Sequence, residues 1–249
     1  MKVVYSPVFT QVYTYDPAAE EGRMEAIYEE IKDRAEFLDA MPATPQQIAL
    51  AHSSSHIATV ASRGLYDIAA LAAGGAIQAA RIGLEEPCFG LIRPPGHHAS
   101  SSSSWGFCYF NNMAIALLSL REEGLIRTAL VLDIDLHFGD GTVNILGDKG
   151  WVRIFNPSSR DREAYLEEVK KALDGERVDL IGVSAGFDYH RDDWGGLLFT
   201  EDYKTIGQMV AQAARRWGAG RFGILEGGYN HRVLGLNVAA FLEGLGAQD

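Results

Sequence analysis

The run Thr128-Ala-Leu-Val-Leu-Asp-Ile-Asp-Leu-His137 is apolar except near its end, where Asp133, Asp135 and His137 occupy every second position. Read as a strand, it projects all three side chains from one face near its C-terminal end. Two carboxylates and an imidazole on such a face demand a partner, because an unpaired buried charge costs on the order of tens of kcal/mol in a dry interior. A bound cation meets that demand, and carboxylate oxygen with imidazole nitrogen suits zinc or a similar divalent ion. Asp135 and His137 are the first two candidate ligands. Asp193 and Asp192 compete for the third place, with Asp188 less favoured because it lies closer to its strand. Three protein donors leave coordination open, which distinguishes a catalytic centre from a closed structural one.

Three further polar clusters follow apolar runs. Arg93-Pro-Pro-Gly-His97-His98-Ala99 comes after Pro87–Ile92, Ser184-Ala-Gly-Phe-Asp188 after Val178–Val183, and Leu225-Glu-Gly-Gly-Tyr229 after Arg221–Ile224. In open parallel sheets, ligands bind beyond the carboxyl ends of the strands, so four such ends describe one active site. Tandem His97 and His98, on a rigid Pro-Pro-Gly turn, are candidates for proton transfer near neutral pH. Asp133 and Asp140 are the carboxylates available to orient their rings. Gly227 and Gly228 allow the backbone close to the cleft and leave the Tyr229 phenol free to stabilise an oxyanion. The segment Trp105–Phe110 offers aromatic surface for a narrow channel.

The elements that must position these groups alternate. Strands are expected at Lys2–Tyr5, Phe89–Ile92, Thr128–Leu136, Val152–Phe155, Val178–Ser184 and Phe222–Leu225. Helical patterns cover Arg23–Leu38, Pro45–Ala51, Tyr66–Ile82, Asn112–Glu122, Arg162–Leu173, Glu201–Trp217 and Arg232–Leu245, with Thr200 as the expected cap of the penultimate helix. Such β/α alternation predicts an α/β fold, a single three-layer α/β/α sandwich around a mostly parallel sheet, spanning residues 1–249 as one domain.

The formal net charge of −11 argues against direct nucleic-acid binding, which wants a basic stripe. No stretch reaches the ~18 apolar residues of a membrane span, and Met1–Ser6 lacks the marks of a secretory signal, so a cytoplasmic protein is expected. Cys88 and Cys108 lie in apolar surroundings without metal-type spacing and read as reduced core residues.

Taken in order, these motifs resemble the histone deacetylase and acetylpolyamine amidohydrolase family, which has the arginase/deacetylase fold. The matching pieces are RPPGHHA at Arg93–Ala99, GFCYFNN at Gly106–Asn112, DIDLHFGDGT at Asp133–Thr142, SAGFDYHRDD at Ser184–Asp193 and LEGGY at Leu225–Tyr229. The resemblance implies metal ligands Asp135, His137 and Asp193, with Zn2+ or Fe2+ as the ion and a structural K+ beside Asp133, Asp135 and His137. It implies His98, backed by Asp140, as the base that activates water; His97, backed by Asp133, as the second histidine; and Tyr229 as the residue polarising the carbonyl. The Gly106 carbonyl and the Phe107 ring fall where the family contacts the substrate amide and its alkyl stem. The implied activity is zinc-dependent removal of an acetyl or other acyl group from an amine, such as an acyl-lysine peptide or an acetylated polyamine, through a metal-activated water.

Three departures stand out. Phe138 replaces the histidine that usually follows the ligand histidine, and Trp194 stands where the family usually has proline. The stretch between Gly139 and Ser184 is short and lacks the loop carrying the opposite aromatic wall, so the channel is expected to be open on one side or completed by a neighbouring subunit in an oligomer. The rival of another class is a non-catalytic, deacetylase-like module that binds acylated or cationic ligands. A two-manganese ureohydrolase shares the fold but would want more clustered aspartates.

Overall fold

The structure, a computed structural model, describes residues 1–247. Its centre is a seven-stranded sheet: β1 (Lys2–Tyr5), β2 (Glu36–Asp39), β3 (Cys88–Gly90), β4 (Ala129–Asp133), β5 (Val152–Phe155), β6 (Leu180–Ala185) and β7 (Gly220–Leu225). The order is β2-β1-β3-β7-β6-β4-β5, and every pairing is parallel. Strands β3, β4 and β6 are buried along their whole length, as continuous apolar runs covered by helices on both faces require. The helices are α1 (Arg23–Ile31), α2 (Pro45–Ala49), α3 (Ser54–Ser62), α4 (Tyr66–Ile82), α5 (Asn112–Glu122), α6 (Asp140–Leu146), α7 (Arg162–Leu173), α8 (Thr200–Trp217) and α9 (His231–Leu245). Helices α4 and α5 pack together as one layer, and α8 with α9, α1 and α7 as the other. Cys88 and Cys108 are both buried and unpaired.

The expected elements are present with four differences. The helical pattern from Arg23 stops at Ile31, and Glu36–Asp39 becomes an edge strand because Glu36 N–H and Ala40 N–H donate to the Met1 and Tyr5 carbonyls. A short run with charged ends fits either period, and only the neighbouring strand decides. Helices α3 and α6 were not expected; α3 begins at Ser53, whose hydroxyl accepts from His56 N–H. The cap of α8 is Phe199 rather than Thr200: Asp202 accepts the Phe199 N–H at 2.8 Å, while the Thr200 hydroxyl donates to Asn237 at 2.7 Å.

The fourth difference shapes the site. Strand β4 ends at Asp133, not Leu136: Ile134 N–H still donates to the Ser184 carbonyl, but carboxylates capture the three amides after it. Asp133 Oδ1 accepts from Asp135 N–H at 3.2 Å, Asp188 Oδ1 from Leu136 N–H at 3.1 Å, and Asp135 Oδ1 from His137 N–H at 2.9 Å. The segment leaves the ladder and folds back over the sheet's carboxyl edge, so loop geometry, rather than strand alternation alone, brings Asp135 and His137 together.

Candidate active site

Four strand ends converge, as the topology demands. The loop after β3 carries His97 and His98, and its backbone is tied to the end of β7: Glu226 Oε2 accepts from Gly96 N–H at 2.7 Å and His97 N–H at 3.2 Å. His97 Nδ1 lies 3.1 Å from Asp133 Oδ2, and His98 Nδ1 lies 2.7 Å from Asp140 Oδ1, at the first turn of α6. Both expected histidine–carboxylate pairs are therefore formed. A carboxylate accepts only, so each Nδ1 carries the proton, and on a neutral ring Nε2 is the free acceptor.

The two rings sit in different electrostatic surroundings. Burial alone would push the His97 imidazole down, but Asp135 and Asp133 outweigh it and hold the ring well above its ordinary value. His98 is pulled down to about 4 by burial and by the neighbouring charged His97, with Asp140 opposing. The two shifts run in opposite directions on rings 4.0 Å apart between centroids. Environments that push two like groups apart in this way separate acid from base.

His137 Nδ1 lies 3.4 Å from both Asp135 Oδ1 and Asp188 Oδ2, and these two nearby carboxylates raise its imidazole to about 10. Burial and the Asp135 charge push Asp188 up to about 6. One donor atom from each of Asp135, His137 and Asp188 lies within 4.8 Å of the others. Asp188 Oδ2 is buried without a hydrogen-bond partner, an acceptor aimed into this cluster and left over by the protein. Two carboxylate oxygens, one of them this Asp188 Oδ2, and one imidazole nitrogen fit a divalent cation.

Asp193, the third ligand implied by the motifs, does not join this cluster. Its Oδ2 accepts from Tyr229 N–H and Asn230 N–H, each at 2.8 Å, and its Oδ1 from Trp194 N–H at 2.8 Å. Three of an ionised carboxylate's roughly four acceptor sites are thus committed to backbone. Asp193 ties the Tyr229 loop to the turn after β6, and Asp188, the less favoured candidate, is the third member of the close donor cluster. Asp192 is exposed.

Tyr229 is held by rings on two sides. Trp194 stacks on it at 4.1 Å with a 25° interplanar angle, and Phe107 meets it edge-on at 6.0 Å. Buried Arg23 lies 5.5 Å from its centroid while donating to the Gly228 carbonyl at 2.8 Å and the Glu226 carbonyl at 2.6 Å. Gly227 is required where it stands: its N–H donates to Asp135 Oδ2 at 2.8 Å, and a Cβ there would meet that same oxygen at 2.6 Å. Gly106 and Phe107 both have positive φ, +59° and +68°, and a Cβ on Gly106 would fall 2.3 Å from His98 Cδ2.

The rings of His97, His98, His137, Trp105, Phe107, Trp194 and Tyr229 line one pocket of roughly 100 Å³. Trp194, edge-on to His137 at 6.2 Å, supplies an aromatic wall from this chain's own turn, where the short Gly139–Ser184 stretch led to the expectation of an open side. Sequence reading passed over the roles of Glu226 and Arg23, and gave Trp105 as channel surface without its contact to His98 and Asp140. Glu226 had a signal, an acid directly after the apolar Phe222–Leu225. Trp105, stacked on His98 at 3.8 Å and donating to Asp140 Oδ2 at 2.9 Å, had none beyond its place beside Gly106. Arg23, distant in sequence, had none.

Comparison with known proteins agrees with this geometry. Residues 18–165 match the family described as the histone deacetylase domain. A probable deacetylase of Methanothermobacter thermautotrophicus is 30% identical, over 100% of this chain and 92% of its own. The acetylpolyamine amidohydrolase of Mycoplana ramosa is 30% identical over 75% of this chain and 65% of its own. The crystal structure of the HDA15 HD domain superposes with a TM-score of 0.81 at 22% identity, covering 98% of this chain and 88% of that one, which shows the shared fold. With more than half its length matched to the family and its histidine–aspartate pairs assembled at the strand ends, this chain belongs to the histone deacetylase family of deacetylases and amidohydrolases.

Proposed function

We propose that this protein is a metal-dependent amidohydrolase that removes a small acyl group, acetyl above all, from an amine. The observation that carries this reading is the pair of adjacent histidines, each held through Nδ1 by a carboxylate, beside an oxygen- and nitrogen-donor cluster and a tyrosine, all on one pocket. Asp135, His137 and Asp188 would hold the ion, zinc or ferrous iron by the chemistry of the donors. Bound there, it would supply Lewis acidity, polarising the carbonyl and lowering the pKa of water.

The chain's own groups account for the proton movements. His98, neutral and with Nε2 free, takes the proton from the attacking water. His97, already protonated, gives one to the nitrogen as the C–N bond breaks, leaving a carboxylic acid and an amine. The Tyr229 phenol, held well above its ordinary pKa by burial and by Asp135, stays protonated and donates to the developing oxyanion.

The test is hydrolysis of an acetyl-lysine peptide and of acetylated diamines by purified protein, with and without a chelator. The expected result is turnover that chelation abolishes and divalent metal restores. Tyr229→Phe should lower kcat about 100- to 1,000-fold with metal content unchanged. Saturable binding of these amides with no turnover in any metal-loaded form would instead establish the non-catalytic module.

A further inference from the structure

We infer that Trp194 is a specificity-determining residue of this pocket, and that with Trp105 it selects amides whose amine carries a second, cationic amino group. This rests on the amidohydrolase reading above and goes beyond it in naming the residue and the substrate class. Trp105 and Trp194 are 55% and 53% exposed, whereas His97 and His98 beneath them are 3% exposed. Each indole has a ring stacked against it, Trp105 on His98 and Trp194 on Tyr229, and both line the same pocket. Large aromatic surface left in water around a pocket costs the protein solvation that a ligand recovers.

Trp194 is fixed in place before any ligand arrives. Its N–H is bound by Asp193, whose other oxygen grips Tyr229 and Asn230, and the Gly195 N–H donates to the Asp188 carbonyl at 2.7 Å. A wall held in this way binds without ordering cost. Tryptophan is the best cation–π partner among the side chains, and the net charge of −11 draws cations from a distance. The cation cannot be the amide nitrogen itself, which is neutral until the bond breaks. It must lie further along the amine, as in a monoacetylated diamine or longer polyamine, with the alkyl stem between the rings.

The experiment compares two acetamides of equal stem length, N-acetyl-1,4-diaminobutane, with an ammonium at its far end, and N-acetylbutylamine, which has none. The wild-type protein should prefer the first by roughly 2- to 30-fold in kcat/KM, mostly through KM. Trp194→Leu should remove most of that preference by raising KM for the cationic substrate more than for the neutral one, and Trp194→Phe should keep much of it. Part of the preference should survive 0.5 M salt, which screens the long-range field but not a ring contact. Equal losses on both substrates in Trp194→Leu, or no preference in the wild type, would overturn the inference while leaving the amidohydrolase intact. If neither amide is hydrolysed, the catalytic reading fails on its own. Calorimetric binding of 1,4-diaminobutane against butylamine then decides the role of Trp194, and equal affinities in the wild type and Trp194→Leu refute it. Matching melting temperatures and metal contents exclude a folding defect.

Discussion

Substituting Gly106 by alanine tests whether the position of His98 governs turnover. A Cβ at this site would lie 2.3 Å from His98 Cδ2, short by 0.7 Å of the 3.0 Å below which real contacts essentially never fall. The imidazole cannot yield easily, because Asp140 holds its Nδ1 at 2.7 Å and Trp105 covers its face at 3.8 Å. Either the ring shifts by most of an ångström or the Gly106 backbone does, and the latter is already at φ +59°, where a side chain costs about 1–2 kcal/mol. A displacement near 1 Å in a catalytic group costs about 100-fold in rate. Gly106→Ala should therefore lower kcat by about two orders of magnitude and the melting temperature by about 2–8 °C, with metal content unchanged. Steady-state kinetics on an acetylated amine, thermal melting and metal analysis supply the readouts. Turnover within 2-fold of wild type in a variant that folds and keeps its metal would mean that His98 does not act from where the structure places it.

Other perturbations probe the remaining parts. The kcat/KM profile should be bell-shaped: activity rises with pH as His98 loses its proton near pH 4, and falls only at a pH well above 6.5, where His97 loses its own. An acid limb centred near 6.5 would contradict the depressed His98. Asp140→Asn should cost about 10- to 100-fold in activity by freeing the His98 ring, and an unaffected rate would remove Asp140 from the mechanism. Metal analysis of Asp188→Asn and Asp193→Asn separates the two aspartates, since the former should lose the ion and the latter should keep it; the opposite pattern returns the third ligand to Asp193. Glu226→Ala strips the acceptor from two buried amides, Gly96 and His97, and should destabilise by about 2–4 kcal/mol, a fall of about 5–15 °C in melting temperature that calorimetry would detect.

Read by itself, the chain determined which residues carry the chemistry and on what kind of scaffold. Buried parallel strands must be apolar throughout, so a polar residue at the end of such a run stands out, and Asp133, Asp135, His97, His98, Asp188 and Tyr229 all announced themselves in that way. Asp133 and Asp140 were legible as carboxylates available to the two rings, and the family resemblance implied which ring each holds. Tertiary structure alone decided the matters that turn on where backbone amides go. The β4 ladder gives out after Ile134 because side-chain oxygens win the N–H groups of Asp135, Leu136 and His137, Glu36–Asp39 is a strand because Met1 and Tyr5 accept from its borders, and Asp193 is tied to the Tyr229 loop by two backbone N–H groups. Spacing along a chain records which donors and acceptors exist; competition among them is settled only when segments far apart in sequence, such as Asp193 and Tyr229 or Glu226 and Gly96, arrive at the same place.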